Sequence, residues 1–236
     1  MIKLENRNGY SVLDHGHVAL VESMGNDLSI VRNARVSYDA EWRTGEDSGK
    51  DEKLIKYLVK NNHTSPFECV QFTFDIKCPI FVARQLLRHR TLSANEISAR
   101  YAELPEEFYI PDLQQMGVQH SDNKQMRDAD IILPEDVANN IRDEMTKQNK
   151  EAFNLYHSMI ERGLARELAR TVLPVGTYTH LFFTMNLHNL MHFIKLRSNS
   201  HAQYEIRVYS DAILEIIKSV VPVSVAAFEE YKLNSN

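Results

Sequence analysis

The pattern of hydrophobic and polar positions predicts three β-strands. Residues 70–77, VQFTFDIK, alternate apolar with polar side chains, which is typical of a strand with one face in the core. Residues 17–25, HVALVESMG, are apolar, contain β-branched residues and end at a glycine. Residues 178–186, YTHLFFTMN, are rich in aromatic and β-branched residues. We therefore expect strands in all three segments.

A second pattern, with apolar residues three or four positions apart, predicts helices. The predicted helices cover residues 26–37, 53–62, 80–90, 134–163, 164–173, 189–197 and 200–221. Asn26 and Asp27 are suitable caps for the first helix. Pro79 and Pro134 stand at the starts of two others, where proline is tolerated. Gly163 is expected to end the long helix.

The same spacing indicates which side chains four of these helices bury. The first is expected to bury Leu28, Val31 and Ala34. The second is expected to bury Leu54, Ile55, Leu58 and Val59. The long helix is expected to bury Val137, Ile141, Met145, Ala152 and Tyr156. The last is expected to bury Ile206, Tyr209, Ile213 and Ile217.

Three segments lack either pattern. Residues 41–52 are polar and contain glycine, and residues 104–113 are bounded by prolines, so both are predicted to be loops. Residues 116–128 are polar and give no clear prediction. Helices outnumber strands and do not alternate regularly with them, which favours an α+β fold over a doubly wound sheet.

Length and composition are those of an ordinary globular protein. The chain has 236 residues, of which 43% are hydrophobic and 25% charged, so we expect one domain over residues 1–236. Its net charge of -5 disfavours a broad nucleic-acid-binding surface, so any anion site has to be a local cluster. The first residues lack the apolar core of a signal peptide, and no segment is apolar over the length of a membrane span. We therefore expect a cytoplasmic protein.

The segment RHRTLSANEISARY, residues 88–101, concentrates cationic and hydrogen-bonding groups. Arg88, Arg90 and Arg100 repel one another unless an anion lies among them, and guanidinium groups bind phosphate or carboxylate two bonds at a time. The alternative, a solvated helix end with salt bridges, is equally consistent with this spacing. Arg170 and Arg197, each at the end of an apolar helical run, add to the case for a multiply charged small ligand such as a nucleotide.

No nucleophile or metal motif stands out. Ser93 and Ser98 have only His89 nearby as a base, and no Gly-x-Ser-x-Gly sequence is present. Cys69 and Cys78 form no CxxC pair, so both are expected to be packing thiols. The chain also lacks GxGxxG and P-loop sequences. His188 and His192 are four apart on a helix, but without an HExxH motif we expect no metal.

Several segments resemble those of the flavin-dependent thymidylate synthases, in the same order along the chain. Arg-His-Arg at 88–90 followed by Ser98 resembles the signature of that family. The other similar segments are HTSPFE (63–68), PIFVARQLLRHR (79–90), NEISARY (95–101), EFYIP (107–111), ARTVLP (169–174) and LRSNSHAQYE (196–205). Several ordered matches are far more specific than one short motif.

The resemblance implies a fold, a reaction and an assembly. The fold would be α+β, with a central, mostly antiparallel sheet flanked by helices. The reaction would be the reductive methylation of dUMP to dTMP, with 5,10-methylenetetrahydrofolate as carbon donor, NADPH as reductant and tightly bound FAD. In that family the reduced flavin replaces the cysteine nucleophile of the classical enzyme. The assembly would be a homotetramer with active sites at subunit interfaces.

The resemblance also assigns site residues by position. The residues expected to bind dUMP are Gln85, Arg88, Glu96, Ile97, Ser98, Ala99, Arg100, Arg170 and Arg197. The residues expected to bind FAD are Ser65, Glu68, Arg88, His89, Arg90, Asn95, Asn186, His188 and His192. His63 and Tyr101 match further active-site positions that contact folate or flavin. Arg197 is the expected catalytic residue, because it would stabilise negative charge on the pyrimidine.

Three positions depart from the usual family pattern. His188 stands where arginine is common, Ser65 where threonine is frequent, and Ala99 where glycine is frequent. Two other functional classes stay open on the residues alone. An arginine cluster with aromatic residues suits a nucleic-acid-binding module, and His188 with His192 suits a metal-dependent hydrolase. Neither accounts for the ordered segments.

Overall fold

The computed structural model describes residues 1–233, with the backbone alone at Ala129. The strands are β1 (Ile2–Lys3), β2 (Gly9–Val12), β3 (Gly16–Met24), β4 (Gln71–Pro79), β5 (Ser93–Glu96), β6 (Gly117–Gln119), β7 (Arg127–Ile132) and β8 (Tyr178–Asn186). The helices are α1 (Asp27–Val36), α2 (Ser48–Lys60), α3 (Ile80–Leu86), α4 (Glu135–Glu161), α5 (Arg166–Ala169), α6 (Leu187–Arg197), α7 (Tyr204–Ile217) and α8 (Pro222–Phe228).

Six strands form one sheet in the order β1-β2-β3-β4-β8-β5, and every neighbouring pair is antiparallel. The strands β6 and β7 form a separate antiparallel hairpin. The predicted α+β class with a mostly antiparallel sheet is therefore confirmed. The three strands predicted from the sequence are β3, β4 and β8, and they are neighbours at the centre of the sheet. The expectation of a single domain stays a prediction.

One face of the sheet lies against the helices and forms the core. Phe74 of β4 stacks between Phe72 and Phe183, with ring centroids 6.0 and 5.9 Å apart, and all three rings are fully buried. The four side chains predicted to point inward on α7 are also fully buried. Fully burying an aliphatic or phenylalanine side chain stabilises the fold by about 1.5–3 kcal/mol. The hydrophobic alternation of β4 therefore predicts its buried face correctly.

The opposite face of β4 carries polar side chains, as the alternation predicts, but Asp75 on it is only 6% exposed. Arg7, His17 and His180 all contact its carboxylate. Burial opposes ionisation of this carboxyl, but the hydrogen bonds from these three side chains outweigh it and lower its pKa to about 2. The cluster explains how a carboxylate is accommodated in this position.

The prediction of a loop over residues 41–52 is wrong at its C-terminal end, because α2 begins at Ser48. The Asp47 side chain accepts a hydrogen bond from the backbone N–H of Lys50 at 3.1 Å and caps the helix. Asp51 is buried and pairs with Arg35, with Nη2 and Oδ1 2.6 Å apart. The start of α2 was missed because polar capping residues resemble a loop in sequence. A buried ion pair also adds no apolar residue to the hydrophobic pattern.

Buried positions on two helices also differ from expectation. In α1, Leu28 is exposed whereas Ile30 and Val31 are fully buried, so the buried stripe is rotated. In α4, Tyr156 is buried as predicted, but Val137 is exposed and Ile141, Met145 and Ala152 are only half-buried. The reason is that α4 buries mainly its C-terminal part, where Phe153 and Tyr156 pack with Ala169. Gly163, with φ of 89°, follows the end of α4 as predicted.

The chain after α3 differs from its prediction in a way that shapes the site. Helix α3 ends at Leu86 instead of continuing to residue 90, and a turn leads into β5. The strand β5 pairs with β8 at the edge of the sheet, and its four residues are all exposed. The sequence did not predict β5 because a polar, exposed edge strand shows no alternation.

The remaining helices and strands lie mostly in segments where the pattern of hydrophobic and polar residues was weak. Strands β1 and β2 and helix α8 were not predicted, and residues 116–128 form much of the β6–β7 hairpin. The predicted helix at 164–173 is the short α5 followed by a 3₁₀ turn at Arg170–Val172. The loop predicted at 104–113 forms no helix or strand before its last residue. Within residues 1–233, no helix has the length and apolar character that a membrane span requires.

Candidate active site

A cavity of about 500 Å³ lies where α3, the end of β5 and the turn at Arg170 meet. Its lining residues are Ile80, Ala83, Arg84, Leu87, Glu96, Ile97, Ser98, Ala99, Leu104, Arg170, Leu173 and Thr179. Five of them were assigned to dUMP by the family resemblance, namely Glu96, Ile97, Ser98, Ala99 and Arg170. This volume is within the range of small-molecule sites.

Hydrogen bonds to β8 fix the wall of the cavity formed by residues 96–99. The Thr179 hydroxyl donates to Oε1 of Glu96 at 2.6 Å. The backbone N–H of Ile97 donates to the carbonyl of His180 at 2.8 Å. Ser98 follows at once, and its hydroxyl oxygen accepts from the backbone N–H of Arg100 at 3.3 Å. The antiparallel edge pairing of β5 thus places a carboxylate and a hydroxyl at the cavity.

Arg84 and Arg170 line this cavity, Arg88, Arg90 and Arg100 are near it in the sequence, and most of these arginines lack acidic partners. Among residues 1–233, no acidic side chain forms an ion pair with Arg84, Arg88 or Arg90. Arg100 pairs with Glu167 at 3.4 Å, but both side chains are exposed, so the pair is weak. Arg170 donates from Nε to the Glu167 carbonyl at 3.3 Å. A solvated helix end with salt bridges, the alternative interpretation of residues 88–101, therefore explains Arg100 but not Arg88 or Arg90.

The second feature of the site is a hydrogen-bonded group at the C-terminal end of α6. Arg197 donates from Nε to Nε2 of His89 at 3.0 Å and from Nη2 to the Gln85 carbonyl at 3.4 Å. The Gln85 side chain in turn donates to Oε1 of Gln203 at 2.6 Å. The His89 ring packs edge-on against Phe193 at 4.9 Å. Gln85 and His89, which are four residues apart in the chain, therefore hold the Arg197 guanidinium in place.

Within this group, the histidine of the RHR sequence, His89, is neutral. Burial, together with the neighbouring charges of Arg197 and His192, lowers the pKa of His89 to about 4. Burial also lowers the pKa of Arg197, which still remains charged. Since Nε2 of His89 accepts from Arg197, the ring proton is on Nδ1 at neutral pH. His89 is thus a neutral acceptor between two exposed cations.

A smaller cavity of about 210 Å³ lies between α2, α6 and α8. Cationic or titratable side chains on its rim are His188, His192, Lys195 and Lys232, and its apolar wall includes Leu58, Val59, Phe67, Met191 and Phe228. His188 and His192, both assigned to FAD by the resemblance, are therefore brought together here. The combination of an apolar wall with basic groups suits a planar ring system that carries phosphate.

Other residues assigned to FAD border this region without lining the cavity. Ser65 and Glu68 are exposed on a 3₁₀ turn that also contributes Phe67. The Asn186 side chain accepts from the Asn189 backbone N–H at 2.9 Å and so caps α6. His63 packs edge-on against Tyr57, with ring centroids 5.6 Å apart.

The remaining assigned residues are exposed and line neither of these two cavities. They are Arg88, Arg90, Asn95, Arg100 and Tyr101. Tyr101 is 80% exposed, although the Arg100 guanidinium lies 5.9 Å from its ring. A single chain therefore collects only part of the proposed ligand set. Among the arginines that the resemblance assigns to ligands, Arg170 alone lines the larger cavity of the chain.

Arg84, Lys195 and Thr179 are among the residues at these cavities that were not singled out from the sequence. Arg84 of α3 lies four residues before Arg88, which follows the helix, and it lines the larger cavity, so the run of basic residues could have revealed it. Lys195 comes after His188 and His192 on α6, and all three side chains line the smaller cavity. Thr179 was not recognised as a site residue because a threonine inside an apolar strand normally has a packing role.

The cysteines have the environment expected of packing thiols. Cys69 donates from Sγ to the Pro66 carbonyl at 3.1 Å, and burial raises its pKa. Cys78 is fully buried in β4, and burial also raises its pKa. A raised pKa leaves little thiolate at neutral pH, so neither thiol is activated as a nucleophile.

The sequence matches a known protein family over most of its length. Residues 19–223 match the family described as thymidylate synthase complementing protein. A flavin-dependent thymidylate synthase of Treponema denticola is 47% identical over 225 residues, which cover 95% of this chain and 83% of the relative. That of Thermus thermophilus is 48% identical over 222 residues, covering 94% of this chain and 78% of the relative.

A solved structure is similar across the whole fold. The UMP/dUMP methylase PolB from Streptomyces cacaoi, bound with 5-Br dUMP, superposes with a TM-score of 0.85 at 34% identity. The similarity covers 96% of this chain and 100% of the PolB chain. A second PolB structure, bound with 5-Br UMP, has a TM-score of 0.82.

Proposed function

The chain belongs to the flavin-dependent thymidylate synthase family, and we propose that it converts dUMP to dTMP with FAD, 5,10-methylenetetrahydrofolate and NADPH. The observation that carries this function is the larger cavity, where Glu96, Ser98 and Arg170 converge with the unpaired Arg84. A carboxylate, a hydroxyl and guanidinium groups around an apolar floor suit a nucleotide monophosphate. An enzyme that uses these metabolites is expected in the cytoplasm.

We assign dUMP to the larger cavity and the residues beside it. Arg170, together with Arg88 and Arg100, supplies guanidinium groups for the phosphate. Ser98 and the backbone groups of Ile97 and Ala99 supply hydrogen bonds at the same wall. Glu96, held by Thr179, is an acceptor for a sugar hydroxyl or ring N–H of the nucleotide. Ala99, which stands where the family frequently has glycine, is buried and lines the cavity.

We assign FAD to the smaller cavity and the exposed residues around it. The fit rests on the apolar wall for a planar ring and on His188, His192 and Lys195 for phosphate. Ser65, Glu68, Arg90, Asn95 and Asn186 are the further residues that we expect to hold it. Bound FAD supplies the electrons of the reductive methylation, which no side chain of the chain can supply.

Arg197 is the residue that we expect to act on the pyrimidine. Its Nε and Nη2 are engaged by His89 and Gln85, which fixes the orientation of the planar guanidinium. A fixed cation stabilises negative charge that develops on the ring as its carbon becomes nucleophilic. Neutral His89 supports this role, because it orients Arg197 without adding a competing charge.

The complete site requires more than one copy of the chain. The unpaired arginines at 88 and 90 and the largely exposed ring of Tyr101 line neither cavity of their own chain. Exposed cations without partners are suited to a ligand that a neighbouring subunit helps to enclose. We therefore propose a homotetramer with active sites at its subunit interfaces, His63 and Tyr101 contacting flavin or folate there.

Product formation tests this function directly. We expect purified, flavin-loaded protein to form dTMP from dUMP when methylenetetrahydrofolate and NADPH are both present, and to form none when either is omitted. UMP as substrate tests selectivity for the deoxyribose. Arg170→Ala should raise the KM for dUMP, whereas Arg162→Ala, an exposed arginine at the end of α4, should not. Flavin-loaded protein that forms no dTMP would contradict the proposal.

A further inference from the structure

Two histidines and one aspartate meet on the polar face of the sheet, apart from the side chains that line the larger cavity. His17 of β3 and His180 of β8 both lie opposite Lys77 of β4, one on each side. Asp75 lies two residues before Lys77 and therefore on the same face. The Nε2 atoms of His17 and His180 are 2.9 and 2.6 Å from the same oxygen, Oδ1 of Asp75. Three adjacent strands thus direct three ligand-type atoms to one point.

The surroundings keep these three groups directed at one another. Arg7 binds the other carboxylate oxygen, Oδ2, and so orients the carboxylate with Oδ1 between the two rings. Lys77, which the register places between the histidines, is drawn away to Glu107, with Nζ and Oε2 2.6 Å apart. The point at which the three ligand atoms meet is therefore not occupied by the neighbouring lysine.

We propose that His17, Asp75 and His180 bind a first-row divalent transition metal ion of the Zn²⁺ class. Two imidazole nitrogens and one carboxylate oxygen are ligands that such ions prefer. The three candidate ligand atoms all lie within 4.8 Å of one another. Among residues 1–233, this is the one group of at least three histidine, cysteine or acidic side chains close enough to share an ion. The site differs from the His188–His192 pair considered in the sequence.

Binding requires only small changes at the cluster. Zinc bonds to nitrogen are about 2.0–2.1 Å long, so ligand atoms in a tetrahedral site are roughly 3.3 Å apart. From their present distances of 2.9 and 2.6 Å, the Nε2 atoms of His17 and His180 have to move roughly 0.4 and 0.7 Å farther from Oδ1. Each Nε2 also has to give up its proton. Arg7 on Oδ2 then acts as an outer partner that holds the carboxylate.

A cavity beside the histidines provides access and space for water as a further ligand. It has a volume of about 210 Å³, and His17, Lys77, Tyr178 and His180 contribute to its lining. The bound ion would connect β3, β4 and β8, the three central strands. Ligands that bind the native state alone stabilise it, so the expected consequence is higher thermal stability.

Zinc titration of the flavin-loaded protein, after treatment with a chelator, tests the proposal. We expect one Zn²⁺ per chain by calorimetry and a zinc-dependent rise in the unfolding temperature. His17→Gln and His180→Gln should each weaken binding by about tenfold or more and abolish most of that rise, since losing even an outer-shell partner typically costs metal sites about 10–100-fold. His180 is 48% exposed, so its replacement should leave the fold intact.

Two control variants make the result specific. His15→Gln changes an exposed histidine on the turn between β2 and β3 that lies outside the cluster, and it should bind zinc like the unchanged protein. His192→Gln removes one member of the pair on α6 and should also retain binding. Absence of zinc binding would overturn the proposal, and so would binding that His192→Gln abolishes but that His17→Gln and His180→Gln leave unchanged.

Discussion

Arg197 donates a hydrogen bond from Nε to Nε2 of His89 at 3.0 Å, and this bond joins two segments that are 108 residues apart in the chain. It connects the RHR sequence to the end of α6. The imidazole accepts from the guanidinium only while Nε2 carries no proton, so the bond requires neutral His89.

Arg197→Lys should reduce turnover more than it weakens dUMP binding. Lysine keeps the positive charge but loses the planar fork that His89 and the Gln85 carbonyl hold. We expect kcat to fall by about tenfold or more, in line with the loss of one charge-stabilising donor, with a smaller change in the dissociation constant of dUMP. Steady-state kinetics and equilibrium binding separate the two effects. A loss confined to dUMP affinity would make Arg197 a binding residue.

His89 should make the protein less stable at acidic pH. Its pKa falls from an ordinary value of 6.5 to about 4 in the folded protein, mainly through burial. The unfolded chain therefore binds a proton at higher pH than the folded one, so stability declines as pH falls from 6.5 toward 4. The free energy of unfolding should fall less steeply across this range in His89→Gln. Equal slopes for the two proteins would show that His89 does not contribute.

Thr179→Val should weaken dUMP binding through Glu96. Valine matches the shape of threonine but removes the hydroxyl that donates to Oε1 of Glu96 at 2.6 Å. A hydrogen bond to a charged group contributes about 1.5–3 kcal/mol, so we expect the KM for dUMP to rise by about tenfold or more. Thr179→Ser keeps the donor and should restore a KM near the original. If Thr179→Ser is impaired as severely as Thr179→Val, packing and not the hydrogen bond is responsible.

Neither cysteine should be required for catalysis. Cys69→Ala and Cys78→Ala should keep dTMP formation within about tenfold, because burial raises the pKa of both thiols. Cys78→Ala should reduce stability by about 1 kcal/mol, the usual scale of a core substitution. Denaturant unfolding of both variants separates a loss of fold from a loss of activity. Loss of dTMP formation in a folded, flavin-loaded variant would contradict the assignment.

The sequence predicted the centre of this fold better than its edges. The strands β3, β4 and β8 and the buried face of α7 were predictable because each buries one regular face of apolar side chains. The strand β5 was not, because its residues are polar and exposed and only pairing with β8 defines it. The beginning of α2 was missed because a buried ion pair, Arg35 with Asp51, replaces apolar contacts there.

The sequence identified several residues that line the larger cavity, but it did not predict the contacts that these residues make. The ordered motifs identified Glu96, Ser98 and Arg170, which the fold does bring to one cavity. Thr179 could not be recognised, because its role depends on which side of β8 faces β5. The neutral state of His89 depends on burial against Phe193 and on Arg197, and both contacts come from α6. The charge of a histidine in such a motif therefore depends on its surroundings in the folded chain.

We propose that flavin electrons and a folate carbon together convert dUMP to dTMP on this protein, and a single-turnover experiment measures that conversion. Flavin-loaded protein is reduced without oxygen and then mixed with dUMP and methylenetetrahydrofolate. Flavin reoxidation is followed by visible absorbance and dTMP by chromatography. We expect one dTMP for each flavin reoxidised. Flavin that stays reduced, or that reoxidises without forming dTMP, would contradict it.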